Sequence, residues 1–161
     1  MKTTTRNILF LLTVFALLLS ACKANVSRNG DGSLDVETSI TQQELQEVIS
    51  SSIADPLIQN LTVSLQSGYI LASGTRQRLN DSSNTDTLSF RLDLEASNGE
   101  LVATISDAQL DGKPIEQNRV ENWNQTITNR IALIGQKNPN STLKSVTITS
   151  SEVIMIWNVA R

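Results

Sequence analysis

Asn98-Gly99 stands between two runs in which every second residue is apolar, Leu88 to Ala96 and Leu101 to Ile105. A two-residue turn of type I′ needs positive φ at both central positions. Asn followed by Gly takes that conformation with little strain, so the two runs pair as an antiparallel hairpin. The pairing then has no freedom. Ala96 opposes Leu101, Leu94 opposes Ala103 and Leu92 opposes Ile105, while Arg91 and Asp93 share the other face with Ser106 and Thr104. A slip of one residue would turn the whole apolar set into water.

A second hairpin precedes it. With a turn at Ser67-Gly68, Leu65 meets Ile70, Val63 meets Ala72 and Leu61 meets Gly74, and the polar stretch from Arg76 to Asp86 reads as an exposed connection between the two hairpins. Upstream, Leu34 and Val36 alternate with Asp35 and Glu37 as a short first strand. Thr41-Gln42-Gln43-Glu44 is a capping box, in which hydroxyl and carboxylate each satisfy a free amide, and Leu45, Val48, Ile49 and Ile53 follow at helical spacing. Asp55-Pro56 ends that helix, because the residue before proline is pushed out of the helical region.

Downstream, Asp111-Gly112-Lys113-Pro114 makes a turn. Val120, Trp123, Ile127, Ile131 and Ile134 then recur at steps of three and four, a second amphipathic helix, with Gly135 expected to close it in a left-handed conformation. Leu143 to Val159 forms a third hairpin turning near Ser150-Ser151. Its last strand, Val153 to Val159, is apolar on both parities and so is expected to be covered on both faces. The order specifies an α+β domain over residues 34–161: a curved antiparallel sheet, three hairpins plus the short first strand, wrapped on two amphipathic helices.

The N-terminal segment is of another kind. Lys2 and Arg6 lead into an apolar centre from Ile8 to Leu19, followed by Ser20, Ala21 and Cys22. About twelve apolar residues at ~1.5 Å each span ~18 Å as a helix, short of the ~30 Å hydrocarbon layer, which fits a secretory signal better than a membrane span. Leu19-Ser20-Ala21-Cys22 resembles the lipobox of bacterial lipoproteins. That resemblance implies a signal peptide over residues 1–21, removed so that the cysteine becomes the first mature residue with diacylglycerol on its thiol. Two or three acyl chains hold a protein stably on a membrane where one does not. Residues 22–33 are then the lipidated Cys22 and a flexible tether, and the domain is expected outside the cytoplasm, lipid-anchored to a bacterial cell membrane.

Composition excludes several chemistries. Histidine is absent and Cys22 is the only cysteine. The usual ligands for zinc, copper and haem and the usual base of a catalytic triad are therefore missing. Only carboxylate chemistry or a serine-lysine pair would remain for an enzyme. Asp107 and Asp111 are the nearest paired acids, but acids beside a turn are more often solvated turn formers. Asn29 to Asp35 invites a calcium reading. Aligned on the loop glycine, however, Ser27 and Thr38 fall where aspartate and bidentate glutamate belong. Without Lys2 and Arg6, thirteen basic residues fall to eleven against sixteen acidic, with no basic cluster to hold nucleic acid. The expectation is no catalytic residue, no metal, no cofactor and no nucleic acid.

Three stretches carry a further resemblance: Ile40-Thr41-Gln42-Gln43-Glu44-Leu45 opening the first helix, Leu101 to Ile105 followed by Leu110-Asp111-Gly112-Lys113-Pro114, and Val146-Thr147-Ile148 near the end. In that order they resemble small bacterial envelope lipoproteins of the YpmS-like type, which look like single modules of the tubular lipid-binding (TULIP) superfamily. The resemblance implies a curved sheet around a long helix, with an acyl chain or other apolar ligand between them, bound without catalysis. The side chains lining such a cavity would be Leu45, Ile49 and Ile53 of the first helix, Leu92 and Leu94 of the second hairpin, and Trp123, Ile127 and Ile131 of the second helix, with Tyr69 and Trp123 at its rim. Aliphatic walls suit an acyl chain, yet the same stripes also fill a dry core. The alternative is a protein-interaction or assembly module of the envelope, docking through a sheet edge or through the C-terminal strand.

Overall fold

The structure, a computed structural model, describes residues 25–160. The signal segment, the lipobox and Cys22 lie outside the described residues. Among the described residues no helix is long and apolar enough to cross a membrane.

The hairpin around Asn98-Gly99 joins β5 (Asp81–Ser97) to β6 (Glu100–Leu110). Its two turn residues take φ of 53° and 82°, and the pairs Ala96–Leu101, Leu94–Ala103 and Leu92–Ile105 form in the expected register. Before it, β3 (Ile58–Gln66) and β4 (Tyr69–Arg78) pair Leu65 with Ile70 and Val63 with Ala72. The Leu61–Gly74 pair is not made in register, because a bulge between Gln59 and Thr62, with Asn60 at φ 51°, shifts the ladder. Gly74 still abuts Leu61, where an added Cβ would come within 3.2 Å of its Cα. The stretch from Arg76 to Asp86 is ladder rather than loop. Arg76 pairs with Asp86 and Gln77 with Thr85, leaving Leu79-Asn80 as the turn. Polar side chains on both faces leave no burial pattern there to mark the strands.

The first helix begins and ends for local reasons; the end of the second is set by a distant neighbour. In α1 (Gln42–Ile53) the Thr41 amide donates to Glu44 Oε2 at 2.8 Å and the Glu44 amide donates to Thr41 Oγ1 at 3.3 Å. Ala54 closes the helix at φ 47°. In α2 (Gln117–Gly135) the terminal Gly135 stays helical, contrary to the expected left-handed cap, and Gln136 follows as extended backbone. Space explains the glycine. A Cβ at Gly135 would lie 2.5 Å from Met155 Cε and 2.9 Å from its Sδ.

The remaining strands are β1 (Asn25–Arg28), β2 (Leu34–Thr41), β7 (Lys113–Pro114), β8 (Ser141–Ile148) and β9 (Glu152–Val159). The α+β class holds, with antiparallel sheet packed on two amphipathic helices, but the sheet is divided in two. One has the order β3-β4-β5-β6-β7 and the other β1-β2-β9-β8. The second is built from the two ends of the described chain, with β2 and β9 paired from Leu34–Val159 to Thr41–Glu152. The sheets meet where the Leu143 amide donates to the Gly99 carbonyl at 2.7 Å and the Gly68 amide to the Ile148 carbonyl at 3.0 Å.

Two further expectations change. The tether over residues 22–33 is shortened, because β1 pairs with β2 from Asn25–Glu37 to Arg28–Leu34. The polar residues between them build a turn, in which Asp31 Oδ1 accepts from the Ser33 amide and hydroxyl at 2.9 and 2.7 Å. The last strand is covered on one face only. Val153, Met155 and Trp157 are buried, with Trp157 Nε1 donating to Thr38 Oγ1 at 3.2 Å. Ile154 and Ile156 on the other parity are half-buried.

Candidate functional site

The eight side chains expected to line a cavity are brought together. Leu45, Ile49 and Ile53 on α1, Leu92 and Leu94 on β5, and Trp123, Ile127 and Ile131 on α2 belong to one continuous core, the most exposed being Leu94 at 7%. They are buried against one another, and none lines the surface depressions described below. Trp123 packs on Phe90, ring centroids 6.2 Å apart, beneath the Arg119 guanidinium at 5.0 Å. It is buried rather than at a rim, and Tyr69 stands elsewhere, on the outer face of the five-stranded sheet.

The helices also cover the edges of the five-stranded sheet. The Val63 amide of edge strand β3 donates to Gln46 Oε1 of α1 at 3.2 Å. On β6, beyond the reach of two-residue β7, the Ala103 amide donates to Thr128 Oγ1 at 2.9 Å and the Ile105 amide to Asn124 Oδ1 at 2.8 Å, both from α2. Helix side chains thus occupy donors that an added strand would use. Strand β9 lies between β2 and β8 and offers no edge.

The outer face of the five-stranded sheet holds a groove of ≈ 570 Å³. Its floor follows from register: Ser64, Leu71 and Arg91 form one row across three strands, and Thr62, Ser73 and Ser89 the next. Within this hydroxyl-bearing surface Leu71 is 42% exposed. Arg91 lies beside it, its guanidinium 4.3 Å from the Tyr69 ring centroid and bound through Nε and Nη2 to the Asp93 carboxylate at 2.9 and 2.6 Å. The hydrogen bonds that Arg91 donates to the Asp93 carboxylate raise its basicity further. An aromatic ring, an aliphatic side chain and a guanidinium held by Asp93 thus share one face of the sheet.

The other chemical candidates separate. Asp107 lines this groove, whereas Asp111 borders a different, charged depression of ≈ 590 Å³ with Arg78, Asp86, Lys113, Glu116 and Arg119. There Arg78 is held by Asp86 at 2.6 Å and Asp111 at 3.4 Å. Beside it, Asp55 accepts from Arg76 Nε at 2.9 Å, Arg119 Nη2 at 2.6 Å and the Leu57 amide at 3.0 Å. Burial alone would raise the Asp55 carboxyl, but these donors outweigh it and hold it below the usual carboxylate range. The group clamps the end of α1 to β4 and α2. Ser141 and Lys144 have the spacing of a Ser-x-x-Lys pair, yet Ser141 Oγ donates to the Asn138 carbonyl at 2.6 Å and Lys144 Nζ pairs with Asp35 at 2.7 Å. Among the described residues no cluster of acids could hold a metal ion.

Sequence reasoning missed the groove because Thr62, Ser64, Ser73 and Ser89 read as an ordinary solvent face. The available signal was Leu71, an apolar residue on the polar parity of β4, next to Tyr69. No family model, no curated protein and no solved structure matches the chain. The resemblance to tubular lipid-binding modules therefore rests on the order of sequence elements alone.

Proposed function

We propose that the chain is a non-enzymatic bacterial lipoprotein, held outside the cytoplasm through acylated Cys22, whose domain docks an envelope protein on the groove around Tyr69, Leu71 and Arg91. One observation carries the reading: the eight side chains expected to line an apolar cavity are buried in the core, while an exposed leucine, a tyrosine and an arginine share the outer face of the five-stranded sheet. Tyr and Arg are the residue types that dominate binding energy at protein interfaces, above all where they surround an apolar centre. The lipid-carrier reading asks α1 and α2 to part from the sheet around a guest; the groove reading asks nothing to move.

The test is a photo-crosslinking residue placed at Leu71 in the lipidated protein in its own host, with Leu133, 79% exposed on α2, as control position. A discrete protein adduct from position 71 that is lost when Tyr69→Ala is added supports docking. Adducts of equal yield from both positions, or none from position 71, contradict it.

A further inference from the structure

We infer that strand β1, an edge of the four-stranded sheet, lies against the lipid headgroups, while the groove on the other sheet stays clear of them. The inference rests on the lipid anchor at Cys22 and adds to it an orientation.

Chain length carries the argument. Asn25 is already paired with Glu37 in the sheet, and only Lys23 and Ala24 separate it from Cys22. Three extended residue steps reach at most about 11 Å. A diacylglyceryl cysteine sits at the bilayer interface, so the start of β1 is held within that distance of it. The domain rides on the membrane rather than above it, and the layer nearest the anchor is the one that touches.

The surface at that point fits the role. Val26 is 62% exposed and Leu34 is 37% exposed, the one on β1 and the other at the start of β2. A hollow of ≈ 220 Å³ between β1 and β9 is lined by Val26 and half-buried Ile156, together with Asn25, Ser27, Asp35 and Glu37. Of the edge strands, β1 has no helix side chain donating to or accepting from its backbone among the described residues. The acids of the neighbouring β2 are engaged within the sheet. Asp35 is bound by Lys144 Nζ and Asn158 Nδ2, both at 2.7 Å, and Glu37 accepts from Asn25 Nδ2 at 3.0 Å. Arg28, exposed and without an ion pair among the described residues, and Lys23 at the anchor leave positive charge for phosphate headgroups.

The experiment uses the full lipidated chain in vesicles of phosphatidylethanolamine and phosphatidylglycerol carrying nitroxide-labelled headgroups. Acylation occupies the Cys22 thiol, so a fluorophore can be placed at Ser27→Cys on β1 or at Ser73→Cys in the groove. We expect quenching at position 27 several-fold stronger than at position 73, and weakened when Val26→Asp and Arg28→Glu are introduced while flotation with the vesicles is unchanged. Equal quenching at the two positions, or stronger quenching at position 73, overturns the orientation while leaving the anchor intact. A mature mass without acyl chains, with no flotation, overturns the anchor and this inference with it.

Discussion

The two sheets solve the same problem by different means. Strands β3 to β7 are neighbours in sequence, joined by tight turns, and their register follows from Asn98-Gly99 and Ser67-Gly68. The edge strands β3 and β6 are covered by Gln46, Asn124 and Thr128 of the helices. The four-stranded sheet instead joins residues more than a hundred positions apart and is fastened by side chains: Trp157 to Thr38, and Asp35 to Asn158, Lys144 and Asn29. Local turn chemistry specifies one sheet; the other forms only because its inner face completes the core that the helices leave open. Specific long-range hydrogen bonds do there what short loops do elsewhere.

The comparison breaks if the four-stranded sheet is dispensable. Trp157→Ala is expected to lower unfolding free energy by about 3–5 kcal/mol, measured by chemical denaturation. Trp123→Phe and Trp157→Phe each leave one indole, reporting from the helix over the five-stranded sheet or from the four-stranded sheet. We expect both to report coincident transitions, and two separated midpoints would make the sheets independent units.

Edge protection gives the next largest effect. Asn124→Ala leaves the buried-side Ile105 amide without its acceptor and should cost about 1–3 kcal/mol, with faster hydrogen exchange at Ile105. The matched change on the open edge, Asn25→Ala, should stay within about 0.5 kcal/mol. Equal losses would erase the difference between the edges. At the joint where β2 passes into α1, Thr41→Ala removes the capping hydroxyl and should cost about 1 kcal/mol, read from the same denaturation curves.

The smallest effect is a pH dependence confined to the four-stranded sheet. Hydrogen bonds from Asn158, then Lys144 and Asn29, lower the Asp35 carboxyl to about 2, against about 3.9 in the unfolded chain. A folded pKa below the unfolded one contributes stability that is fully present above about 4 and is lost as pH falls toward about 2. Asp35→Asn should therefore lower the melting temperature slightly at neutral pH and flatten its further fall across that window. An unaltered acid limb would place the dependence on other carboxylates.

What could be read from the sequence follows the same division. The hairpin registers apart from Leu61–Gly74, the Thr41–Glu44 box and the two helix stripes rest on contacts between near neighbours, and each reappears in the structure. The split into two sheets could not be read, because nothing near Leu34 announces Val159. The ladder from Arg76 to Asp86 carries polar residues on both faces and so has no period to detect. Gly135 gave the right residue for the wrong reason: it ends a helix, but its missing Cβ makes room for Met155. For the candidate site, apolar spacing identified Leu45, Ile127 and their partners as inward-facing yet is silent on whether an inward face is filled or hollow. The outer groove hides in serines and threonines, with Leu71 as its one conspicuous residue.

The central claim is that the interior is closed and binding happens on the surface. Native mass spectrometry of the mature lipidated protein, before and after solvent extraction, tests it most directly. The account predicts a mass of the chain plus its covalent acyl groups, unchanged by extraction, and a melting temperature that extraction does not alter. A non-covalent lipid of several hundred daltons whose removal lowers the melting temperature would mean that the eight core side chains part around a ligand, and would return the protein to the carrier reading.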